Sequence, residues 1–310
     1  MVHTGEFFVV LDNENEEDIK IMEMFHEIKV YTKDAFRIVC RETKIGMYDI
    51  VRLHIYVDFI ELLKKADIVE GDIDNIIFNV RNTVEEIVGN NEFELVLSRL
   101  DYRYDVVIED KNERKLIIKL LQKSKESVNY MKKSNIYKEN VRYCSKSRCD
   151  NIYDKEIERL CNNKKIKHYE KDVLRFEAQV KNEHIKYKNK KFKIERTIEE
   201  YFTFEMFKAY MEKMIISLVG KGDFYCLREA EKIIKESNLR HKDKAEIREF
   251  LVYTSKKRDL SKTKKMYGRY RFDKYTGLLA ALSINSIIIP EKWRVKVINN
   301  PLKELINELN

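Results

Sequence analysis

Three short stretches of the chain place reactive side chains on segments with strand-like alternation: Ser98-Arg99-Leu100-Asp101, Tyr153-Asp154-Lys155-Glu156-Ile157-Glu158 and Leu174-Arg175-Phe176-Glu177. In each, charged or hydroxylated residues fall on one strand face and apolar residues on the other. A tyrosine, a lysine and several carboxylates lining one open sheet face are the equipment for breaking a phosphodiester bond through a covalent tyrosine. For that chemistry the tyrosine oxygen attacks phosphorus after its proton, held with a pKa near about 10 in isolation, is lost or shared. A divalent cation, Mg2+ or Mn2+, held by Asp101 and Glu177 polarises the phosphate. Lysine or arginine then offsets the charge on the non-bridging oxygens.

Strand parity supports a common face. Asn151, Tyr153 and Lys155 share one side with Ile152 opposite, and Arg175, Glu177 and Gln179 lie opposite Leu174, Phe176, Ala178 and Val180. An ordinary sheet covered by helices on one side also shows polar outer faces, so alternation alone fits either reading. The residue types discriminate better. Surface positions in this chain are mostly Lys, Glu or Asn, whereas these offer Tyr, Arg, Asp and Glu. His54, on the alternating stretch Arg52-Leu53-His54-Ile55-Tyr56, is a further metal neighbour or a structural histidine, and no second histidine stands at His-x-His spacing.

The elements that must position these residues follow from periodicity. Residues 6–57 read as β-rich, through Phe7–Leu11, Ala35–Cys40 and Asp49–Val57. Residues 59–66 and 73–88 read as helices, the second with Ile73, Ile76, Ile77, Val80, Val84, Ile87 and Val88 at helical spacing and Gly89 as a stop. The clearest strand runs from Phe93 to Ile108, followed by a helix from about residue 112 to 127. Further strands are expected at 138–144, 150–155 and 172–181, with a helix over 154–163. From about Glu195 the pattern turns helical, at 197–218, 223–238, 242–257 and 270–283. The fold class is α+β: a largely antiparallel sheet with helices packed on one face over residues 1–194, then a helical domain over 195–310. Within the latter, Lys256-Lys257-Arg258, Lys262, Lys264, Lys265, Arg269 and Arg271 stand beside Tyr267 and Tyr270. They form either a phosphate-contacting surface or a solvated basic face.

Composition is consistent with this. Lys plus Arg number 61 against 53 Asp plus Glu, a formal net charge of +8, which suits a polyanion partner. No apolar run approaches the roughly 18 residues of a membrane span, and the opening Met1-Val-His-Thr-Gly-Glu lacks the organisation of a signal peptide. The five cysteines include no Cys-x-x-Cys pair, and Cys144-x4-Cys149 has no companion at zinc-ligand spacing. Free thiols in a cytoplasmic protein without a membrane partner are the expectation.

Five motifs, in order along residues 93–293, resemble the replication initiators of the filamentous-phage gene II/gene X type and their plasmid relatives, the Rep-nuclease-like rolling-circle nicking proteins. Leu97-Ser98-Arg99-Leu100-Asp101 resembles the family's Ser-Arg-Ile-Asp strand. Asn151-Ile-Tyr153-Asp-Lys155-Glu-Ile-Glu158 resembles its Tyr-x-Lys-x-x-Glu segment, and Leu174-Arg-Phe-Glu177-Ala-Gln-Val-Lys181 its Val-Arg-Phe-Glu-Ala-Arg-Ile-Lys strand. Phe202 to Tyr210 resembles a Phe-Ser-Phe-Ser-Glu-Leu-Phe-Lys-Ala-Phe helix, and Lys265-Met-Tyr-Gly-Arg-Tyr-Arg271, running to Pro290, resembles the C-terminal Tyr-Phe-Gly-Phe-Tyr-Arg-Arg to Ile-Pro region. The first 90 residues match only loosely.

The resemblance implies an origin-specific single-strand endonuclease and ligase for rolling-circle DNA replication, making a 5′-phosphotyrosine link and a free 3′-OH. It puts the nicking tyrosine on Tyr153, with Lys155 and Glu158 as motif partners and Tyr143 as the runner-up. Asp101 and Glu177 occupy acidic motif positions; their role as metal ligands comes from chemistry and parity. Arg99, Arg175, Lys264, Lys265, Arg269 and Arg271 are the candidate DNA contacts. The implied partners are single- and double-stranded origin DNA and a host helicase. The alternative is a non-catalytic, DNA-binding copy-control regulator of the same fold.

Overall fold

The computed structural model describes residues 1–45, 48–89, 92–124, 127–128, 131–133 and 139–309. The chain begins with β1 (Val2–Leu11), α1 (Glu16–Ile28), β2 (Tyr31–Lys33), β3 (Phe36–Ile45) and β4 (Tyr48–Asp58). Then come α2 (Phe59–Leu63), α3 (Ile73–Val88), β5 (Val96–Val107), α4 (Lys111–Ser124), β6 (Ser127–Val128) and β7 (Met131–Lys133). The central stretch holds β8 (Asn140–Cys144), β9 (Arg148–Asp154), α5 (Lys155–Cys161), β10 (Val173–Lys181) and α6 (Asn182–Phe192). The remainder is mainly helical: α7 (Ile198–Tyr201), α8 (Phe204–Tyr210), a π-helical stretch at Met211–Ile216, α9 (Ser217–Val219), β11 (Phe224–Tyr225) and α10 (Leu227–Glu236). Finally come α11 (His241–Lys257), α12 (Leu260–Ala281), β12 (Val297–Ile298) and α13 (Lys303–Leu309). The architecture is α+β, with a helical C-terminal part.

Residues group into two compact units interleaved along the sequence: 1–104, 146–149 and 177–210 form the first, and 105–145, 150–176 and 211–310 the second. Strands β5, β9 and β10 contribute residues to both. In the first unit the strand order is β2-β3-β4-β1-β5-β10. The pairs β2/β3, β3/β4, β1/β4 and β1/β5 are antiparallel. In the second the order is β10-β9-β8-β7-β6, with β6/β7 and β7/β8 antiparallel.

β4 shows why the first unit's sheet is two-sided. Val51, Leu53, Ile55 and Val57 are buried, while Arg52, His54, Tyr56 and Asp58 on the other face are half-buried. Helix α1 packs on β3, and α2 on β1 and β4. In α3, Ile76, Val80, Val84 and Val88 form the buried stripe, and Gly89 ends the helix at φ 81. Asp58 starts α2 by accepting hydrogen bonds from the amides of Ile60 and Glu61.

The structure departs from the sequence pattern in several places. Helix α1 is an addition to the elements expected from periodicity. Helix α12 begins ten residues before the predicted start at 270, because Asp259 caps it there by accepting from the amides of Ser261 and Lys262. Strand β8 covers 140–144, and residue 138 of the expected strand lies outside the described residues, as do 125–126 of the expected helix ending at 127. The expectation of free thiols holds for Cys40, Cys161 and Cys226 but not for Cys144 and Cys149, which are disulfide-bonded. The two lie at the end of β8 and the start of β9, separated by a short turn.

Gly5 marks a close approach in the first unit. A Cβ there would come within 2.6 Å of the buried Phe59 ring, which packs edge-on against Phe202. Gly5→Ala should therefore destabilise the protein by about 1–3 kcal/mol through overpacking. A urea midpoint equal to wild type would show that the ring moves freely.

Candidate metal and phosphotransfer residues

A β-bulge builds the first cluster. Along β1 and β5, Val2 pairs with Tyr102 and Thr4 with Asp101, so His3 is an extra residue on β1. The cluster lies within the first unit: His3, Asp101 and Glu177 each offer one ligand atom, all within 4.8 Å of one another. His3 Nε2 stands 3.7 Å from Glu177 Oε2, and Gln179 Nε2 donates to Glu177 Oε1 at 3.2 Å.

Asp101 is 1% exposed, and a buried carboxylate needs compensation. Arg99 supplies it as a two-pronged donor, with Nε 2.8 Å from Oδ1 and its terminal nitrogen on Oδ2, while the Thr4 hydroxyl also donates to Oδ2. Burial works to lower the Arg99 pKa, but Asp101, Glu177 and Glu6 outweigh it and hold the guanidinium above its ordinary value. With two donors on Oδ2 and one on Oδ1, Asp101 keeps acceptor capacity at Oδ1.

One imidazole and two carboxylates fit a divalent cation. Metal–ligand bonds of about 2.0–2.6 Å put ligand atoms up to about 5 Å apart across one ion, the span of this group. The imidazole inclines the set toward Mn2+ over the more strictly oxygen-seeking Mg2+. Asp101 and Glu177 were legible from strand parity. His3 was not, because a bulge shifts a side chain's direction without changing the residue pattern. His54 is placed elsewhere: its Nδ1 is 3.2 Å from Glu6 Oε1, with its ring beside Phe8.

The second cluster lies within the second unit. β9 ends at Asp154, which caps α5 by accepting from the amides of Glu156 and Ile157. Lys155 is therefore the first residue of a helix rather than a strand partner of Tyr153. The Lys155 ammonium still lies 5.8 Å from the Tyr153 ring centre, donates to Glu158 Oε2 at 2.7 Å and stands 3.7 Å from Glu170 Oε1. Burial lowers the Lys155 pKa and the Arg175 charge adds to this, against the opposing pull of Glu158.

Arg175 is 2% exposed and donates to both oxygens of Asp105 at 2.8 Å. Its observed partner is thus a carboxylate. Tyr153 itself is 6% exposed, so it lies within the fold rather than on the open face expected from alternation. Tyr143 is wholly buried, and burial, with the Asp259 charge, pushes its phenol well above the ordinary value, which disfavours it as a nucleophile.

No family model matches the chain, and no curated protein matches it. Among the described residues, no helix is long and apolar enough to cross a membrane.

A fixed frame surrounds the lysine. Arg114, 1% exposed, donates to Asp154 at 2.7 Å, Glu156 at 2.6 Å and Asp172 at 3.0 Å. Its pKa is held up because these carboxylates outweigh the effect of burial. Glu170 accepts from Arg159 Nε at 2.7 Å and from the Lys167 amide at 3.1 Å. Burial acts to raise the Glu170 pKa, but Arg159, the amide and Lys155 outweigh it and bring the carboxyl below its ordinary value.

Two measurements test these clusters. Mn2+ should raise the melting temperature of the wild type, because a cation that binds only the folded state stabilises it. His3→Ala, Asp101→Asn and Glu177→Gln should each weaken Mn2+ affinity by about tenfold or more in calorimetry; an unshifted wild type would rule the site out. Separately, a carboxyl with a depressed folded pKa contributes stability above its unfolded pKa and loses it as pH falls through the folded value. Glu170→Gln should therefore lower stability at neutral pH by about 3–5 kcal/mol, as for a broken buried pair. It should also flatten the acid side of the stability–pH curve, and parallel curves for wild type and variant would contradict the assignment.

Proposed function

We propose that the protein is a metal-dependent, origin-specific DNA nicking and rejoining enzyme that initiates rolling-circle replication through a 5′-phosphotyrosine at Tyr153. The observation that carries this reading is the grouping of His3, Asp101 and Glu177 within 4.8 Å, two of them on the motif strands that resemble the gene II/gene X family.

The residues divide the labour. His3, Asp101 and Glu177 would hold the cation, which supplies Lewis-acid polarisation of a phosphate oxygen when bound. Tyr153 Oη attacks phosphorus, the bond from phosphorus to the 3′-oxygen breaks, and the strand is left joined to the protein by its 5′-phosphate. Lys155, displaced toward its neutral amine by burial and Arg175, takes the phenolic proton and returns it to the departing 3′-oxygen. Glu158 holds the lysine in place. Rejoining reverses the sequence: a 3′-OH attacks the phosphotyrosine and releases the tyrosine. Arg99 fixes Asp101, and Lys264, Lys265, Arg269 and Arg271, all exposed on α12, contact DNA phosphates. A host helicase and a cytoplasmic setting belong to the same proposal.

A second reading, a DNA-binding copy-control regulator without cleavage, is favoured by one observation: the burial of Tyr153 at 6% exposure. Supercoiled origin DNA with Mn2+ or Mg2+ separates the two. The wild type should form a covalent protein–DNA adduct on denaturing gels, and Tyr153→Phe should reduce it by about a thousandfold or more. Undiminished adduct in Tyr153→Phe would remove Tyr153 from the role, and loss only in Tyr143→Phe would transfer it. Binding without adduct in the wild type would favour the regulator.

A further inference from the structure

The stretch 267–275 carries four aromatic side chains with two different fates. Tyr267, Phe272 and Tyr275 pack around Phe250, with ring centres 5.3, 5.7 and 5.6 Å away. Tyr270 is 84% exposed. Single exposed apolar side chains are ordinary on a folded surface, so what distinguishes Tyr270 is its setting rather than its exposure.

The backbone sets it apart. Within α12, Gly268 has φ 74 and ψ 163, which breaks the helix into two segments. A Cβ at Gly268 would meet nothing within 4 Å, so glycine is needed there for its left-handed backbone rather than for space. Directly after the break stand Arg269, Tyr270 and Arg271, all exposed. Lys274 is paired with Asp243 and Glu246 of α11, but the stretch 256–274 as a whole is rich in cations, with nine Lys or Arg and two Asp. One of those, Asp259, is 4% exposed and caps α12. The other, Asp273, lies 3.6 Å from Arg269 across a highly exposed pair, an interaction of little strength in water.

We propose that Tyr270 is a stacking platform for a base of single-stranded DNA, with Arg269 and Arg271 on the flanking phosphates. The proposal rests on the DNA-processing reading above and adds to it a binding site for the melted strand. An exposed ring flanked in sequence by two long, exposed arginines offers a base a stacking surface with cations in reach of neighbouring phosphates, and stacking accepts any base because each presents a π-face. An intact duplex keeps its base faces covered, which points to a single strand as the ligand.

The test uses the full chain and a short fluorescein-labelled oligothymidylate in EDTA, read by anisotropy over a range of salt. Tyr270→Ala should raise the dissociation constant by about five- to hundredfold, with the salt dependence unchanged. Tyr270→Phe and Tyr270→Trp should bind as wild type. Arg271→Ala should reduce the salt slope by about 0.7, the value for one single-strand phosphate contact. Wild-type affinity in Tyr270→Ala, equal losses in the Ala and Phe variants, or an equal loss on a duplex of mixed sequence would each overturn the proposal, as would failure of the wild type to bind the oligonucleotide. Because EDTA silences cleavage, oligonucleotide binding is read here apart from the nicking step. Failure of the nicking assignment and failure of the stacking site are therefore separate results.

Discussion

Burying a carboxylate requires something to answer its charge, and the way Asp101 is answered shapes the rest of the first unit. Arg99 meets it with two parallel donors and Thr4 adds a third, so the group stays in place at 1% exposure. Because Thr4 sits directly opposite Asp101 in the β1/β5 register, the extra residue between Thr4 and Val2 is His3. The bulge, the arginine clamp and the three-residue cluster thus meet at one group, a buried acid on an interior strand. A well-packed apolar residue would meet the needs of folding at least as well.

The second unit repeats the principle with the signs exchanged. Arg114 is the buried cation, and Asp154, Glu156 and Asp172 surround it. Asp154 does two things, since its other oxygen caps α5. The cap fixes where β9 stops and the helix starts. It thereby puts Lys155 at the first helical position, near the Tyr153 ring and against Glu158 and Glu170. A buried lysine flanked by Arg175 favours its neutral form more than a surface lysine does. That is the property a proton-sharing residue requires.

The α12 region uses charge differently. Lys274 is held by Asp243 and Glu246, whereas Lys264, Lys265, Arg269 and Arg271 are exposed and contribute mainly through the field they create. Gly268 interrupts the helix at the centre of this basic stretch, and the aromatic residues on either side of it divide between core and surface.

Much of this was legible in the amino-acid order. Alternation along residues 96–107 and 173–181 identified β5 and β10 and put Asp101 and Glu177 on matching faces, because a strand's period of two leaves little freedom. The apolar stripe of α3 and its Gly89 stop were equally clear. Other features lay beyond pattern reading. A bulge is a property of two paired strands, so His3 gained its place only through the register with β5. The helix expected from residue 154 is α5, but that Lys155 belongs to it rather than to the strand face of Tyr153 depended on Asp154 turning its side chain back onto the following amides. The expected open face is closed at Tyr153 and Arg175, since polarity along a strand states which side a residue takes but not what covers that side. The sequence by itself determined which residues alternate along β5 and β10, because the geometry of a regular strand sets that locally. Only the tertiary structure decided their partners and exposure, because those depend on strands distant in the chain meeting in one register.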